Sequence, residues 1–163
     1  MNLIVAISEN YAIGKAGDLL CHLPNDLKHF KELTTGATVV MGKNTFYSLP
    51  RRPLPNRRNI VLTRDTAFAE QGIEVAHSID ALNSLLLSNE SVFIIGGGEV
   101  YKQFIPLVDR LYITHIHHIW EDADTFFPII NTNIWECIEE ERHEADDKHA
   151  YAYTFATYQR KTI

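Results

Sequence analysis

One aspartate stands out because the sequence places it on the apolar side of a predicted helix. A helix is predicted over residues 25–33, starting at Asn25 or at the turn formed by Pro24. In this helix Asp26, Phe30 and Leu33 recur at i, i+4 and i+7 and share one face. An acidic residue in a first turn can simply favour the helix dipole. A buried carboxylate, however, needs a hydrogen-bonding or cationic partner. This segment alone favours the helix-dipole interpretation, and recognition of a ligand by Asp26 is the alternative that the other segments must decide.

Two glycine turns follow predicted strands. Residues 96–98 lie between an apolar strand at 92–95 and a helix beginning at Glu99, and residues 42–45 follow a strand at 38–41. Free backbone N–H groups at such turns suit a phosphate. Close strand-to-helix packing without a ligand is the alternative, and the Gly-x-Gly-x-x-Gly pattern is absent. Two such turns on one sheet predict a diphosphate that spans both.

Basic residues near these turns are candidate anion ligands. Arg57 and Arg58 follow a stiff turn at Pro55, which could hold one guanidinium for a planar carboxylate. For Arg58 the alternative is exposure to solvent. Arg64 lies just past a strand predicted at 59–63, where open α/β sheets bind ligands, although a solvated surface arginine is the alternative.

Three neighbouring histidines invite a metal interpretation. His115 and His117 would share one face of a strand, with His118 following, but the segment offers no carboxylate or helix-borne third ligand. We therefore expect strand histidines that face solvent, and no metal site.

The elements that must position these residues alternate between strand and helix. Apolar, β-branched runs predict strands at 3–7, 38–41, 59–63, 73–76, 92–95 and 111–116, and helical patterns fall at 25–33, 43–48, 79–87 and 99–104. This alternation predicts an α/β fold, with a mostly parallel central sheet and flanking helices. Runs at 135–142 and 151–159, separated by the polar residues 143–149, predict a C-terminal antiparallel hairpin at one sheet edge.

Composition limits the classes of function. The chain of 163 residues is 45% hydrophobic, which predicts one domain over residues 1–163. A net charge of -6 disfavours nucleic acid and anionic membranes as partners, and favours small molecules. Residues 1–8 are too short for a signal peptide or a membrane span. Two cysteines are too few for a disulfide scaffold, so we expect a cytoplasmic protein.

Taken together, these segments resemble dihydrofolate reductases of the bacterial, single-domain type over nearly the whole chain. The matching motifs, in order, are Ile4-Val5-Ala6, Ala12-Ile13-Gly14, Leu23-Pro24-Asn25-Asp26-Leu27 with Phe30, Val40-Met41-Gly42 with Thr45-Phe46, Leu54-Pro55-Asn56-Arg57-Arg58-Asn59, Ile95-Gly96-Gly97-Gly98 with Tyr101, and Leu111-Tyr112-Ile113-Thr114-His115. Each motif alone is weak, but their order and spacing are highly specific.

The resemblance implies reduction of 7,8-dihydrofolate to tetrahydrofolate, with a hydride passing from NADPH to pterin C6 and a proton to N5, in support of one-carbon metabolism and thymidylate, purine and amino-acid synthesis. The implied catalytic residues are Asp26, Leu19 and Thr114. Asp26, supported by Thr114, would accept hydrogen bonds from pterin N3 and the 2-amino group. Burial against Phe30 and Leu27 would raise the pKa of its carboxyl. The resemblance also implies a monomer that binds antifolates.

The resemblance also implies two sets of binding residues. Those for the substrate are Ile4, Val5, Asp26, Leu27, Phe30, Leu49, Leu54, Arg57, Ile95 and Thr114, with Arg57 on the glutamate α-carboxylate. Those for the cofactor are Ala6, Ile13, Gly14, Gly42, Lys43, Asn44, Thr45, Leu62, Thr63, Arg64, Ile95, Gly96, Gly97, Gly98, Glu99, Val100 and Tyr101. Within this set, Gly96, Gly97 and Thr45 would hold the diphosphate, Lys43 and Arg64 the 2′-phosphate, and Ala6, Ile13 and Tyr101 would flank the nicotinamide. Residues 9–24 would form a mobile lid, with glycines at Gly14 and Gly17.

Two positions depart from the family pattern. Cys21 stands where the family usually has tryptophan, and Lys43 replaces the more usual arginine, which leaves the preference for NADPH over NADH open.

Two other functions are alternatives: a pyrimidine reductase of flavin biosynthesis, and a noncatalytic nucleotide-binding module. The pairing of Asp26 with Phe30 and the arginine turn favours folate over the first.

Overall fold

An eight-stranded sheet forms the centre of the protein. The structure is a computed structural model that describes residues 1–14 and 21–162. The strands are β1 (Asn2–Ser8), β2 (Ala12–Gly14), β3 (Thr38–Gly42), β4 (Arg58–Leu62), β5 (Glu74–Ala76), β6 (Val92–Gly96), β7 (Arg110–Ile116), β8 (Thr125–Phe126), β9 (Trp135–His143) and β10 (Tyr153–Arg160). The order in the large sheet is β5-β4-β3-β6-β1-β7-β10-β9, and β2 pairs with β8 separately.

The helices connect the parallel part of the sheet. They are α1 (Pro24–Thr34), α2 (Lys43–Ser48), α3 (Ile79–Leu85) and α4 (Gly98–Phe104). All pairings from β5 across to β7 are parallel, whereas β10 is antiparallel to both β7 and β9. The predicted fold class, a mostly parallel sheet with a C-terminal antiparallel hairpin, is confirmed.

The structure differs from the predicted elements mainly at their ends. Helix α3 ends at Leu85 rather than at residue 87, because Leu86 already has extended backbone angles. Strand β10 begins at Tyr153 rather than at residue 151. Strands β2 and β8 were not predicted, because they have only three and two residues and are too short for an alternating pattern. Among the described residues, no helix combines the length and apolar character needed to cross a membrane.

Apolar side chains cover both faces of the sheet, as continuous hydrophobic strands require. On β1, Leu3, Val5 and Ile7 point into one core cluster, while Ile4 belongs to the cluster on the opposite face. The two clusters bury most residues of the central parallel strands. The cleft described below opens where β1 and β7 meet α1.

Arg58 binds carboxylates of the chain itself, and the alternative interpretation of a solvent-exposed arginine is wrong. Its guanidinium donates to Glu74 at 2.5 and 2.7 Å, to Glu90 at 2.8 and 2.9 Å, and to the Leu85 carbonyl at 2.9 Å. Hydrogen bonds to Glu74 and Glu90 raise the pKa of Arg58. Burial opposes ionisation of Glu90, but hydrogen bonds from Thr38, the Leu87 N–H and Arg58 outweigh it and lower the Glu90 pKa to about 2. This network ties β4 to β5 and to the end of α3.

The strand histidines also differ from expectation, since they are half-buried and hydrogen-bonded rather than facing solvent. The His115 Nε2 atom lies 2.8 Å from the Tyr158 hydroxyl, and His117 Nε2 lies 2.8 Å from Thr154 Oγ1. Burial lowers the pKa of His115. Within residues 1–14 and 21–162, no three His, Cys, Asp or Glu side chains are grouped so that they could hold a metal ion.

We predict that Arg58→Met lowers the free energy of unfolding by about 2 to 3 kcal/mol at neutral pH, because two partly buried carboxylates lose their partner. The Arg58 and Glu90 side chains are only 29% and 14% exposed. The folded-state pKa of Glu90 is depressed. The difference in free energy of unfolding between wild type and variant is therefore complete above pH 4.5, and it shrinks as the pH falls toward about 2. Urea denaturation at several pH values measures it. Arg110→Met, at an exposed site, serves as the control and changes stability by less than about 0.5 kcal/mol.

Candidate active site

Asp26 lies in the first turn of α1 and faces a cleft between that helix and the sheet. The cleft is lined by Ala6, Ile13, Cys21, His22, Leu23, Asp26, Leu27 and Ile116. The hydroxyl of Thr114, on β7, donates to Asp26 Oδ1 at 2.6 Å. Ala6 and Thr114 are register partners on β1 and β7, so the parallel pairing of these strands sets the floor of the cleft.

Burial governs the electrostatics of the Asp26 carboxyl. Loss of solvent raises its pKa above the usual 3.8, and the hydrogen bond from Thr114 and the charge of His29 only partly oppose that rise. Nearby Cys21 has a thiol pKa raised to about 11 by burial and by Asp26, so it stays protonated at neutral pH. The site therefore holds a carboxyl group that takes up a proton more readily than an exposed one.

The rest of the predicted helix face divides between the core and the cleft. Phe30 and Leu33 pack against the cluster that contains Ile4, as their spacing from Asp26 predicts. Leu27 is 46% exposed and lies at the rim of the cleft. Further predicted substrate residues also belong to that cluster: Leu49, Leu54 and Ile95. Val5 points to the opposite face of β1.

Arg57 is held in a fixed position at the end of this apolar wall. Its Nε donates to the Pro55 carbonyl at 2.9 Å and its Nη1 to Thr34 Oγ1 at 3.0 Å, and its Cζ lies 6.0 Å from the centre of the Phe30 ring. Burial lowers the pKa of Arg57. These contacts use two of its five N–H groups, so the guanidinium retains donors for an anion.

Thr34 is a positioning residue that the sequence reasoning missed. It is fully buried in the last turn of α1, where its hydroxyl donates to the Phe30 carbonyl at 2.8 Å and accepts from Arg57. A threonine four residues after Phe30 is a usable signal, because such hydroxyls commonly bond back to the preceding turn. Its link to Arg57 depends on tertiary structure.

The two glycine turns meet at the carboxyl ends of β3 and β6. Met41 pairs with Gly96, and Gly96 has a φ of 130° that few side chains tolerate. A Cβ atom placed on Gly96 or Gly97 would lie 3.4 or 3.2 Å from Thr45 Oγ1. The missing side chains therefore leave a cradle of backbone groups and one hydroxyl, a kind of surface that suits a phosphate group.

The remaining predicted cofactor residues lie at or near the ends of the strands that carry this cradle, and they differ in their exposure to solvent. Leu62 pairs with Gly42 across β4 and β3, and Thr63 and Arg64 follow it, with Arg64 exposed. Lys43 Nζ is ion-paired with Asp65 at 3.1 Å, so part of its charge is already compensated. Asn44 and Glu99 are exposed at the starts of α2 and α4.

On the other side of the cradle, β2 supplies Ile13 and Gly14. A Cβ atom on Gly98 would lie 3.8 Å from Ile13 Cδ1, and Gly14 pairs with Thr125. Val100 and Tyr101 are buried in the core, where the Tyr101 hydroxyl lies 2.8 Å from the carbonyl oxygens of Ile4 and Ile95. Burial raises the pKa of Tyr101, so its hydroxyl remains a donor. Leu19 and Gly17 lie outside the described residues.

Comparison with known proteins decides the family. The sequence pattern of the family described as dihydrofolate reductase matches residues 1–160. The chain belongs to the dihydrofolate reductase family. It is thus placed among NADPH-dependent oxidoreductases.

Individual members of the dihydrofolate reductase family are similar to this chain over nearly their whole length. The type 3 enzyme of Salmonella typhimurium is 45% identical over 161 residues, which cover 99% of this chain and 98% of that protein. The enzyme of Bacillus subtilis is 40% identical, with 99% and 95% covered. A solved dihydrofolate reductase of Enterococcus faecalis, complexed with NADP(H) and RAB-propyl, has a TM-score of 0.90 at 42% identity, with 99% and 96% covered.

We predict that Asp26→Asn stabilises the folded protein at neutral pH and raises its Tm by a few degrees. The amide still accepts from Thr114 but carries no charge in the cleft. Because the folded-state pKa of Asp26 is raised, wild type loses stability relative to the variant as the pH rises from 3.8 through that pKa. Calorimetry at pH 7 and below pH 3.8 checks this. A gain that persists below pH 3.8 would show that the charge is not its cause.

Proposed function

We propose that the protein reduces 7,8-dihydrofolate to 5,6,7,8-tetrahydrofolate with NADPH, and that Asp26 assists protonation of pterin N5. The observation that supports this most directly is a buried carboxyl group, hydrogen-bonded by Thr114, in a cleft that adjoins the glycine cradle. A donor of hydride and a group that favours protonation are the two requirements of the reaction.

The cofactor fits residues from three strand ends. Backbone groups of Gly96 and Gly97, with the Thr45 hydroxyl, would hold the diphosphate, and the exposed Arg64 with Lys43 would face the 2′-phosphate. Ala6 and Ile13 line the cleft between the cradle and Asp26, where they would exclude water from the nicotinamide. NADPH, when bound, supplies the hydride.

Asp26 would bind the pterin edge. Its carboxylate can accept from N3 and the 2-amino group, while Thr114 occupies one lone pair of Oδ1 and fixes the orientation of the carboxyl. A raised pKa keeps more of the carboxyl protonated near neutral pH than an exposed aspartate would be, which favours delivery of a proton toward N5. The apolar wall of Ile4, Phe30 and Leu54 would cover the remaining ring surface.

Arg57 would bind the glutamate α-carboxylate of the substrate. Contacts with Pro55 and Thr34 hold its guanidinium in place, so little side-chain entropy is lost on binding. The same cleft would accept antifolates that carry a diaminopyrimidine or pteridine edge. As the resemblance to dihydrofolate reductases implies, we also propose a monomer that serves one-carbon metabolism and the thymidylate, purine and amino-acid syntheses that depend on it.

The decisive experiment follows NADPH absorbance with and without dihydrofolate. We expect oxidation that requires dihydrofolate, and we expect Asp26→Asn to lower kcat at neutral pH by roughly 100-fold or more while NADPH affinity changes little. Asp109→Asn is the control, because Asp109 is exposed and pairs with the chain terminus far from the cleft. Tight NADPH binding without dihydrofolate-dependent oxidation would instead favour a noncatalytic binding module.

Two arginine variants separate the two binding regions. Arg57→Met should raise KM for dihydrofolate by roughly 10- to 100-fold, because a charge-assisted contact is lost, and leave the Kd of NADPH unchanged. Arg64→Met should raise the Kd of NADPH and leave KM for dihydrofolate unchanged. The increase should be smaller than that for Arg57→Met, since Arg64 is exposed. Steady-state kinetics and NADPH fluorescence titration measure both. If Arg57→Met altered NADPH binding alone, the assigned substrate orientation would be wrong.

A further inference from the structure

The N-terminus of α1 lacks the usual side-chain cap. Leu23 occupies the N-cap position and has no hydrogen-bonding side chain, and Pro24 has no N–H to satisfy. The Asp26 and Leu27 N–H groups both donate to the Leu23 carbonyl, at 3.0 and 3.1 Å. The Asn25 N–H is therefore the one donor of this turn that needs a partner from elsewhere in the chain.

That partner is a histidine 124 residues away. The Asn25 N–H donates to His149 Nε2 at 3.1 Å. His149 lies in the loop between β9 and β10 and is only 2% exposed, although most of that loop is exposed. A hydrophobic N-cap residue is thus compensated by an acceptor that comes from the C-terminal hairpin.

The hydrogen bonds of His149 define its tautomer. Because Nε2 accepts a hydrogen bond from Asn25, the proton of the neutral ring lies on Nδ1, which is 2.8 Å from Asp146 Oδ1. The same carboxylate oxygen accepts from the Lys148 N–H at 2.9 Å. The hydrogen bond from His149 lowers the pKa of Asp146, which keeps this acceptor ionised. The turn thus orients the imidazole toward α1.

A second contact of Asn25 fixes the same turn of helix. Asn25 Nδ2 donates to the Tyr153 hydroxyl at 2.7 Å, and Tyr153 is 1% exposed at the start of β10. The rings of His149 and Tyr153 lie 5.1 Å apart. Asn25 directly precedes Asp26, so the hairpin holds the backbone from which the carboxyl group projects.

We propose that His149 is a positioning residue for the reaction: its neutral imidazole holds the first turn of α1 so that the Asp26 carboxyl stays against Thr114. This inference rests on the proposed function, because Asp26 is the group that would bind the pterin. His149 itself does not line the cleft. It acts through Asn25, so its loss should change the KM for dihydrofolate and not the Kd of NADPH.

The test compares His149→Leu, which removes the acceptor, with His149→Gln, whose side-chain oxygen reaches about as far as Nε2. The matched control is His117→Leu, which also removes one hydrogen bond to the hairpin. The contacts of His117 are with Thr154 and, at 3.6 Å, with Glu9 rather than with α1. Amide exchange of Asn25, dihydrofolate KM and kcat, and the Kd of NADPH are measured for each variant.

We expect His149→Leu to speed exchange of the Asn25 amide and to raise dihydrofolate KM roughly tenfold, with NADPH Kd within twofold of wild type. His149→Gln should restore most of both losses, and His117→Leu should leave them at wild-type values. A merely structural role would lower the fraction of active enzyme without changing KM. That outcome, or equal behaviour of the Leu and Gln variants, would overturn the proposal.

Failure of the proposed function would look different. A wild-type protein that does not oxidise NADPH with dihydrofolate would contradict the function itself. The ¹³C chemical shift of the Asp26 carboxyl would then still test whether His149 positions that group. A carboxyl that no longer accepts a hydrogen bond from Thr114 changes its chemical shift at fixed pH. An unchanged shift in His149→Leu would overturn the inference whether or not the enzyme is active.

Discussion

The site depends on one contact across the fold, the hydrogen bond from the Thr114 hydroxyl to the carboxyl of Asp26 at 2.6 Å. The two residues are 88 positions apart, and they meet because β7 lies beside β1, in register at Ala6, with α1 above both strands. An isolated carboxylate in this cleft would be strongly disfavoured. The hydrogen bond from Thr114 offsets part of the cost of burying the Asp26 carboxyl, but the pKa of that carboxyl stays raised. The pterin edge of the proposed substrate would supply the donors that are still missing.

Two adjacent arginines show how the same side chain serves stability or binding according to its neighbours. Arg58 is surrounded by Glu74 and Glu90, which use most of its donors and neutralise its charge. The hydrogen bonds that Arg57 makes to Pro55 and Thr34 go to a neutral carbonyl and a neutral hydroxyl, so its charge remains available to a ligand. The helix carrying Asp26 is likewise fixed by polar contacts from a distant hairpin. The charge of Arg57 is uncompensated, whereas that of its neighbour Arg58 is compensated.

The sequence was sufficient for features that depend on local pattern. Apolar runs and their alternation with helices predicted the sheet, and the spacing of Asp26, Phe30 and Leu33 predicted a shared face. The family resemblance, carried by ordered motifs, predicted the pairing of Thr114 with Asp26. What remained hidden depends on long-range contacts: the partners of Arg58, the half-buried state of His115 and His117, and the histidine that caps α1. No local pattern specifies which side chain will reach a neighbouring element.

The most direct test of this account is titration of the Asp26 carboxyl by ¹³C NMR in the free wild-type protein. Burial beside Thr114 predicts a midpoint clearly above the usual value of 3.8. A midpoint at or below 3.8 would mean that the carboxyl is solvated or paired with a cation, and it would contradict the claim that the cleft holds a carboxyl group ready to bind and protonate a ligand.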